Sequence, residues 1–81
     1  MNQQEIETII TEILIEELAI TRNVITLDST FKDLGADSLD EMEIMIHIEK
    51  KFHLTISDEG ATKLYDVRDL CKYIEAKLHA Q

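Results

Sequence analysis

The apolar positions of the chain fall into helical periods separated by polar, turn-forming segments. From Gln4 to Leu18, Ile6, Ile9, Ile10, Ile13, Leu14 and Leu18 recur at three- and four-residue steps, while Glu5, Glu12 and Glu16 lie largely off that stripe. This period predicts an amphipathic first helix. The segment from about Ala19 to Asp37 is rich in Thr, Asn, Asp and Gly, with isolated apolar anchors at Val24, Ile25, Leu27, Phe31 and Leu34. It reads as a loop pinned onto a core. Its length exceeds the roughly 12–15 residues above which structureless connections become uncommon, so it is expected to contain a helical turn or to support a site.

A second helix is predicted from Leu39 to Phe52. The run Ser38-Leu39-Asp40-Glu41 has the S-x-x-E spacing of a capping box, which makes Ser38 the expected N-cap. After His53 to Ser57, the segment Asp58 to Leu64 is long enough for only a short third helix, weakened by Gly60 at roughly 1 kcal/mol relative to Ala. A last helix is expected from Val67 to about Leu78, with Asp66 as N-cap and Val67, Leu70, Cys71, Ile74 and Leu78 on one face. The pattern is all-α.

The second helix carries more apolar surface than one packing face requires. At about 100° per residue, Ile44, Met45, Ile48 and Phe52 share one arc and form the expected core face. Leu39, Met42 and Ile46 occupy a neighbouring arc flanked by Glu43 and Glu49. Periodicity leaves two readings open. Either the helix is central and buries both arcs, or the second arc is an exposed apolar strip rimmed by carboxylates, the anatomy of a docking surface.

Charge narrows the choice of partners. Seventeen acidic against eight basic residues give a formal net charge of −9, which disfavours nucleic acid and anionic lipid and favours basic protein surfaces. No apolar run approaches the roughly 20 residues of a membrane span, and the acidic N-terminal stretch is unlike a targeting peptide. A cytoplasmic monomer is the expectation, folded as one domain over residues 1–81. Cys71 is the lone cysteine, and on an apolar helix face it reads as a packed, inert thiol.

Two kinds of chemistry fail on spacing. From Asp33 an EF-hand loop would need glycine at its sixth position, where Ser38 stands. A serine hydrolase built on Ser38 with His47 or His53 lacks a G-x-S-x-G elbow and enough chain for a buried pocket. His47, His53 and His79 show no metal-ligand spacing, so no metal site is expected.

By itself, Ser38 after Gly35 at a loop-to-helix junction is an ordinary cap with a mild anion site. The string around it says more. Phe31 to Leu39 read Phe-Lys-Asp-Leu-Gly-Ala-Asp-Ser-Leu, and Asp33 to Leu39 resemble the attachment motif of acyl carrier proteins. The resemblance extends along nearly the whole chain: first helix, anchored loop, motif at the head of the second helix, Phe52 closing it, a short Asp58-Glu59 helix and a final helix containing Tyr73-Ile74.

The resemblance implies a small four-helix bundle with a long first loop and a short third helix. It implies a carrier of fatty-acid synthesis rather than an enzyme, with 4'-phosphopantetheine from coenzyme A placed on Ser38, flanked by Asp37 and Leu39, by a phosphopantetheinyl transferase. Partner enzymes with basic patches would meet Asp40, Met42, Glu43, Ile46, Glu49 and Asp58. A folded-back fatty acyl chain would be lined by Ile44, Ile48, Ile56, Ala61, Leu64 and Ile74, with the Gly60 helix as gate. The sequence departs from relatives at Lys50-Lys51, where acids are common, at Ser57, often proline, and at Gly60, where an acid is expected. Carriers for polyketide, specialised-lipid or aminoacyl pathways share these features, and an unmodified acidic interaction module is the alternative of a different class.

Overall fold

The computed structural model describes residues 1–80 and contains four α-helices in the expected order. Helix α1 (Gln3–Leu18) starts at Asn2, whose side chain accepts the Glu5 N–H at 2.8 Å while Glu5 accepts the Asn2 N–H at 3.0 Å. This reciprocal box satisfies two of the donors that a helix start leaves unpaired. Along α1, Ile6, Ile10 and Leu14 are fully buried, with Ile9, Ile13 and Leu18 packed at the edges of the core. The helix packs on α2 (Ser38–Phe52) and on α4 (Val67–His79).

From α2 come Ile44, Ile48 and Phe52, and from α4 come Val67, Leu70, Cys71 and Ile74. Each fully buried Ile or Leu contributes about 1.5–3 kcal/mol relative to exposure. Opposed to these gains is the left-handed backbone at the helix ends, where Ala19 (φ 54°) follows α1 and His53 (φ 55°) follows α2. Glycine is the residue that adopts this conformation without strain.

The long connection between α1 and α2 holds the helical turn its length suggested, a 3₁₀ turn at Arg22–Val24. It is also tied to the start of α4. Leu27 and Ser29 carbonyls accept the Arg68 and Val67 N–H groups at 2.9 and 3.0 Å, Thr30 bridges to Asp66, and Arg68 pairs with Asp28. Asp28 raises the guanidinium pKa through the hydrogen bond. Phe31 and Leu34 enter the core, so the loop is anchored on both sides of the segment that leads into α2.

Helix α3 (Asp58–Ala61) is shorter than the expected span to Leu64 and has no buried residue. Ser57 caps it by accepting the Gly60 N–H at 3.0 Å, and Thr62 closes it by donating to the Glu59 carbonyl at 2.7 Å. The chain beyond Ala61 turns instead, which lets Leu64 reach the core. Asp66 is the N-cap of α4, accepting the Asp69 N–H at 2.8 Å, as the sequence predicts.

Candidate functional site

The motif from Thr30 to Leu39 folds as a pre-formed turn delivering the chain into α2. Thr30 and Asp33 exchange backbone-to-side-chain hydrogen bonds, Thr30 N–H to Asp33 Oδ2 at 3.1 Å and Asp33 N–H to Thr30 Oγ1 at 3.0 Å. The Thr30 backbone donor, then its hydroxyl, holds the Asp33 carboxyl below its ordinary pKa. Gly35 ends the turn at φ 82°, with Gly35 N–H to Lys32 O at 3.0 Å and Ala36 N–H to Phe31 O at 2.9 Å. That pair of bonds is a Schellman closure, which requires a residue at positive φ. Every residue of Asp-Leu-Gly-Ala-Asp thus has its own local role. Asp33 clasps the turn, Leu34 anchors it, Gly35 reverses it, Ala36 packs and Asp37 caps.

The cap corrects the sequence expectation. Asp37, not Ser38, is the N-cap: its Oδ1 accepts the Asp40 N–H at 2.9 Å, and Asp40 Oδ2 accepts the Asp37 N–H at 3.1 Å. The helix begins one residue earlier than predicted, so the box partners are Asp37 and Asp40 rather than Ser38 and Glu41. Ser38 is then the first helical residue, exposed, with its hydroxyl outside the capping exchange. Its N–H and that of Leu39 belong to the first turn, where helical geometry provides no intrahelical acceptor.

Ser38 opens onto a groove of about 450 Å³ between α2 and α3. Its walls include Met42, Met45, Ile46, Ile56, Ala61 and Thr62, with Glu41, Glu49 and Asp58 at its polar edges. Of the residues expected to line an acyl cavity, Ile56 and Ala61 lie on this groove. Ile44, Ile48 and Ile74 are fully buried in the core, Leu64 is buried with them, and none of these four lines the groove. Met45, Glu41 and Thr62 line it without having been expected there. The signal for Met45 is the ladder Ser38, Met42, Met45, Glu49, whose steps of four, three and four trace one face of α2; Glu41 is three residues from Ser38 on the same side, and Thr62, outside α2, has no such signal.

The second apolar arc of α2 is exposed: Leu39, Met42 and Ile46 retain 64%, 59% and 37% of their accessible surface. This decides against burial of both arcs. The acids expected around it have different surroundings. Asp40 is engaged in the cap, Asp58 is exposed at the groove, and Glu49 Oε2 accepts the Ile56 N–H at 2.8 Å, tying α2 to the segment before α3. Glu43 leans away from the groove, toward Glu17 of α1 and His47.

Residues 8–74 match the family profile described as phosphopantetheine attachment site. The chain is 42% identical over 79 residues to an acyl carrier protein of Exiguobacterium sibiricum and 44% identical over 79 residues to one from another Exiguobacterium strain, covering 96% of this chain and 100% of each relative. The chain belongs to the acyl carrier protein family. The solution structure of a candidate acyl carrier protein from Anaplasma phagocytophilum superposes with a TM-score of 0.86 at 34% identity, covering 95% of this chain and 92% of that one. A member of this family is a carrier rather than a catalyst, and its prosthetic group is 4'-phosphopantetheine. An exposed hydroxyl at the first turn of a helix, above an apolar groove, is a donor set that fits such a group. Among the described residues, no helix is long and apolar enough to cross a membrane.

Proposed function

We propose that this chain carries fatty acyl groups as thioesters on a phosphopantetheine arm attached to Ser38, and moves them between enzymes of fatty-acid biosynthesis in the cytoplasm. The observation that carries the reading is the freedom of Ser38: exposed, relieved of capping by Asp37, and set at the head of an apolar groove. When bound, the arm supplies a terminal thiol for acyl attachment. Ser38 Oγ would form the new P–O bond to the phosphopantetheine phosphate as the pyrophosphate bond of coenzyme A breaks and adenosine 3',5'-bisphosphate leaves, and the Ser38 proton would pass to a base of the phosphopantetheinyl transferase, because a serine hydroxyl is a poor nucleophile without one. The unpaired N–H groups of the α2 first turn favour the phosphodiester charge by about 0.3–1 kcal/mol.

The exposed strip of Leu39, Met42 and Ile46 gives partners an apolar centre, and Asp40, Glu49 and Asp58 give it acidic surroundings. A basic transferase or synthase surface is the complement. The groove residues Met42, Met45, Ile56 and Ala61 shelter the arm and the proximal part of its cargo. A longer chain would have to part α2 from α3 to reach Ile44, Ile48, Leu64 and Ile74.

The test is intact-mass analysis after incubation with coenzyme A and a phosphopantetheinyl transferase. Wild type gains one phosphopantetheinyl group and Ser38→Ala gains none. Protein from its native host shows a mixture of fatty acyl chain lengths. An amino acid or one unusual acid as sole cargo would assign the chain to another carrier pathway, and no gain with any competent transferase would leave an unmodified interaction module.

A further inference from the structure

Across the α1–α2 seam, Glu17 of α1 meets Glu43 and His47 of α2. None of the three lines the Ser38 groove. One donor atom from each, the imidazole nitrogen and two carboxylate oxygens, lies within 4.8 Å of the others, and His47 Nε2 stands 3.4 Å from Glu17 Oε2. We propose that Glu17, Glu43 and His47 form a binding site for a zinc-type divalent cation that clamps α1 to α2.

The spacing suits a ligand set as well as an ion pair. Two donors about 2.0–2.2 Å from one tetrahedral ion are roughly 3.4 Å apart, the separation already present between His47 and Glu17. Glu43 and His47 are four residues apart, so one face of α2 presents both. A void of about 40 Å³ lies against Glu17 and His47, lined also by Ile13 and Glu16. It exceeds the space that one water-sized occupant requires, and it borders the Glu17–His47 pair without reaching Glu43.

The donor set also selects the metal. One imidazole and two carboxylates suit zinc and the later first-row ions, whereas magnesium and calcium favour all-oxygen shells. His47 is exposed while Glu17 and Glu43 are half-buried, which leaves room for water in the remaining positions. A dication would quench the repulsion between Glu17 and Glu43. Glu12 and Glu16 border the same face and add to the attraction, and Lys51 opposes it. The histidines' own spacing carries no ligand pattern, because the donor that completes the set comes from another helix.

The experiment uses untagged, chelator-stripped protein with ZnCl2 as the probe. Saturating zinc should raise the Tm by about 5 °C or more, and move the imidazole NMR signals of His47 while those of His53 and His79 stay in place. His47→Gln and Glu43→Gln should each lose most of the zinc-induced shift, and MgCl2 at equal concentration should reproduce little of it. A zinc shift undiminished in His47→Gln, a matching shift with magnesium, or equal movement of all three histidine rings would overturn the site. The NMR readout on wild type decides the question even if a substituted chain folds poorly.

Discussion

Asp37 and Asp40 cap each other across the first turn of α2, at 2.9 and 3.1 Å, and the residue between them that begins the helix is Ser38. The capping duty thereby falls on Asp37 and leaves the Ser38 hydroxyl out of it. Ser38→Ala should change stability by less than about 0.5 kcal/mol, as at a surface position without a special contact. Asp37→Ala should cost about 1 kcal/mol, a Tm fall of roughly 4–8 °C for a domain of this size. Thermal unfolding of the two variants checks the division, and a serine variant as destabilised as the aspartate one would contradict it.

Gly35 and Gly60 are both glycines for different reasons, and alanine separates them. At Gly35 a methyl group meets nothing within 4 Å, so the obstacle is the backbone at φ 82°. The cost of Gly35→Ala should be about 1–2 kcal/mol. At Gly60 a methyl group would lie 2.7 Å from Tyr73 Oη and 3.1 Å from Ser57 Oγ, so the obstacle is α4 pressing on α3. Tyr73→Phe should therefore recover part of the loss caused by Gly60→Ala and none of the loss caused by Gly35→Ala. A double-mutant cycle on denaturant unfolding measures this coupling.

Glu49 illustrates how a residue suited to a docking rim also works inside the molecule. Its carboxylate holds the Ile56 N–H at 2.8 Å, and Ile56 is a wall of the groove beside Ser38. Glu49→Ala should free the chain before α3 and accelerate amide exchange at Ile56 about tenfold, the equivalent of roughly 1.4 kcal/mol. Glu49→Gln keeps an acceptor and should fall between wild type and alanine. Unchanged Ile56 exchange in Glu49→Ala would show that the groove wall is held by other contacts.

How much of this is legible in the sequence follows from which interactions are local. The helices are, because Ile6, Ile10 and Leu14 and the α4 set Val67, Leu70, Cys71 and Ile74 repeat on one face. The attachment motif is legible as a string, but the division of labour inside it is not, since Asp37, Ser38, Asp40 and Glu41 offer two boxes one residue apart. Backbone geometry decides between them: Asp37 is extended at φ −94° and ψ −176°, while Ser38 is already helical. The groove is only half legible. Of the residues the sequence offers for an acyl cavity, Ile56 and Ala61 lie on the groove, while Ile44 and Ile48 sit behind it in the core. The position of one helix over another is not written in either helix's period. The Glu17, Glu43 and His47 cluster is hidden for the same reason.

Cys71 supplies a control for the thiol chemistry expected of the prosthetic group. It is 4% exposed within the α4 core face, and burial, then Glu7 and Glu75, push its pKa up to about 11 from 9.0. The thiolate is the reactive species, so at pH 8 only about one part in a thousand of this thiol is competent. A disulfide reagent at that pH should find almost no fast thiol in the native unmodified chain, and one after denaturation. After phosphopantetheinylation it should find one fast thiol in the native state, which Cys71→Ala retains and Ser38→Ala lacks. The same shift sets a pH slope. As pH rises from 9 to 11 the unfolded chain gives up the Cys71 proton before the folded one, binds fewer protons, and becomes relatively more favourable. Stability should therefore fall across that window in wild type, and more gently in Cys71→Ala. Rapid labelling of the native unmodified chain at pH 8 would show that Cys71 is not held in the core as described.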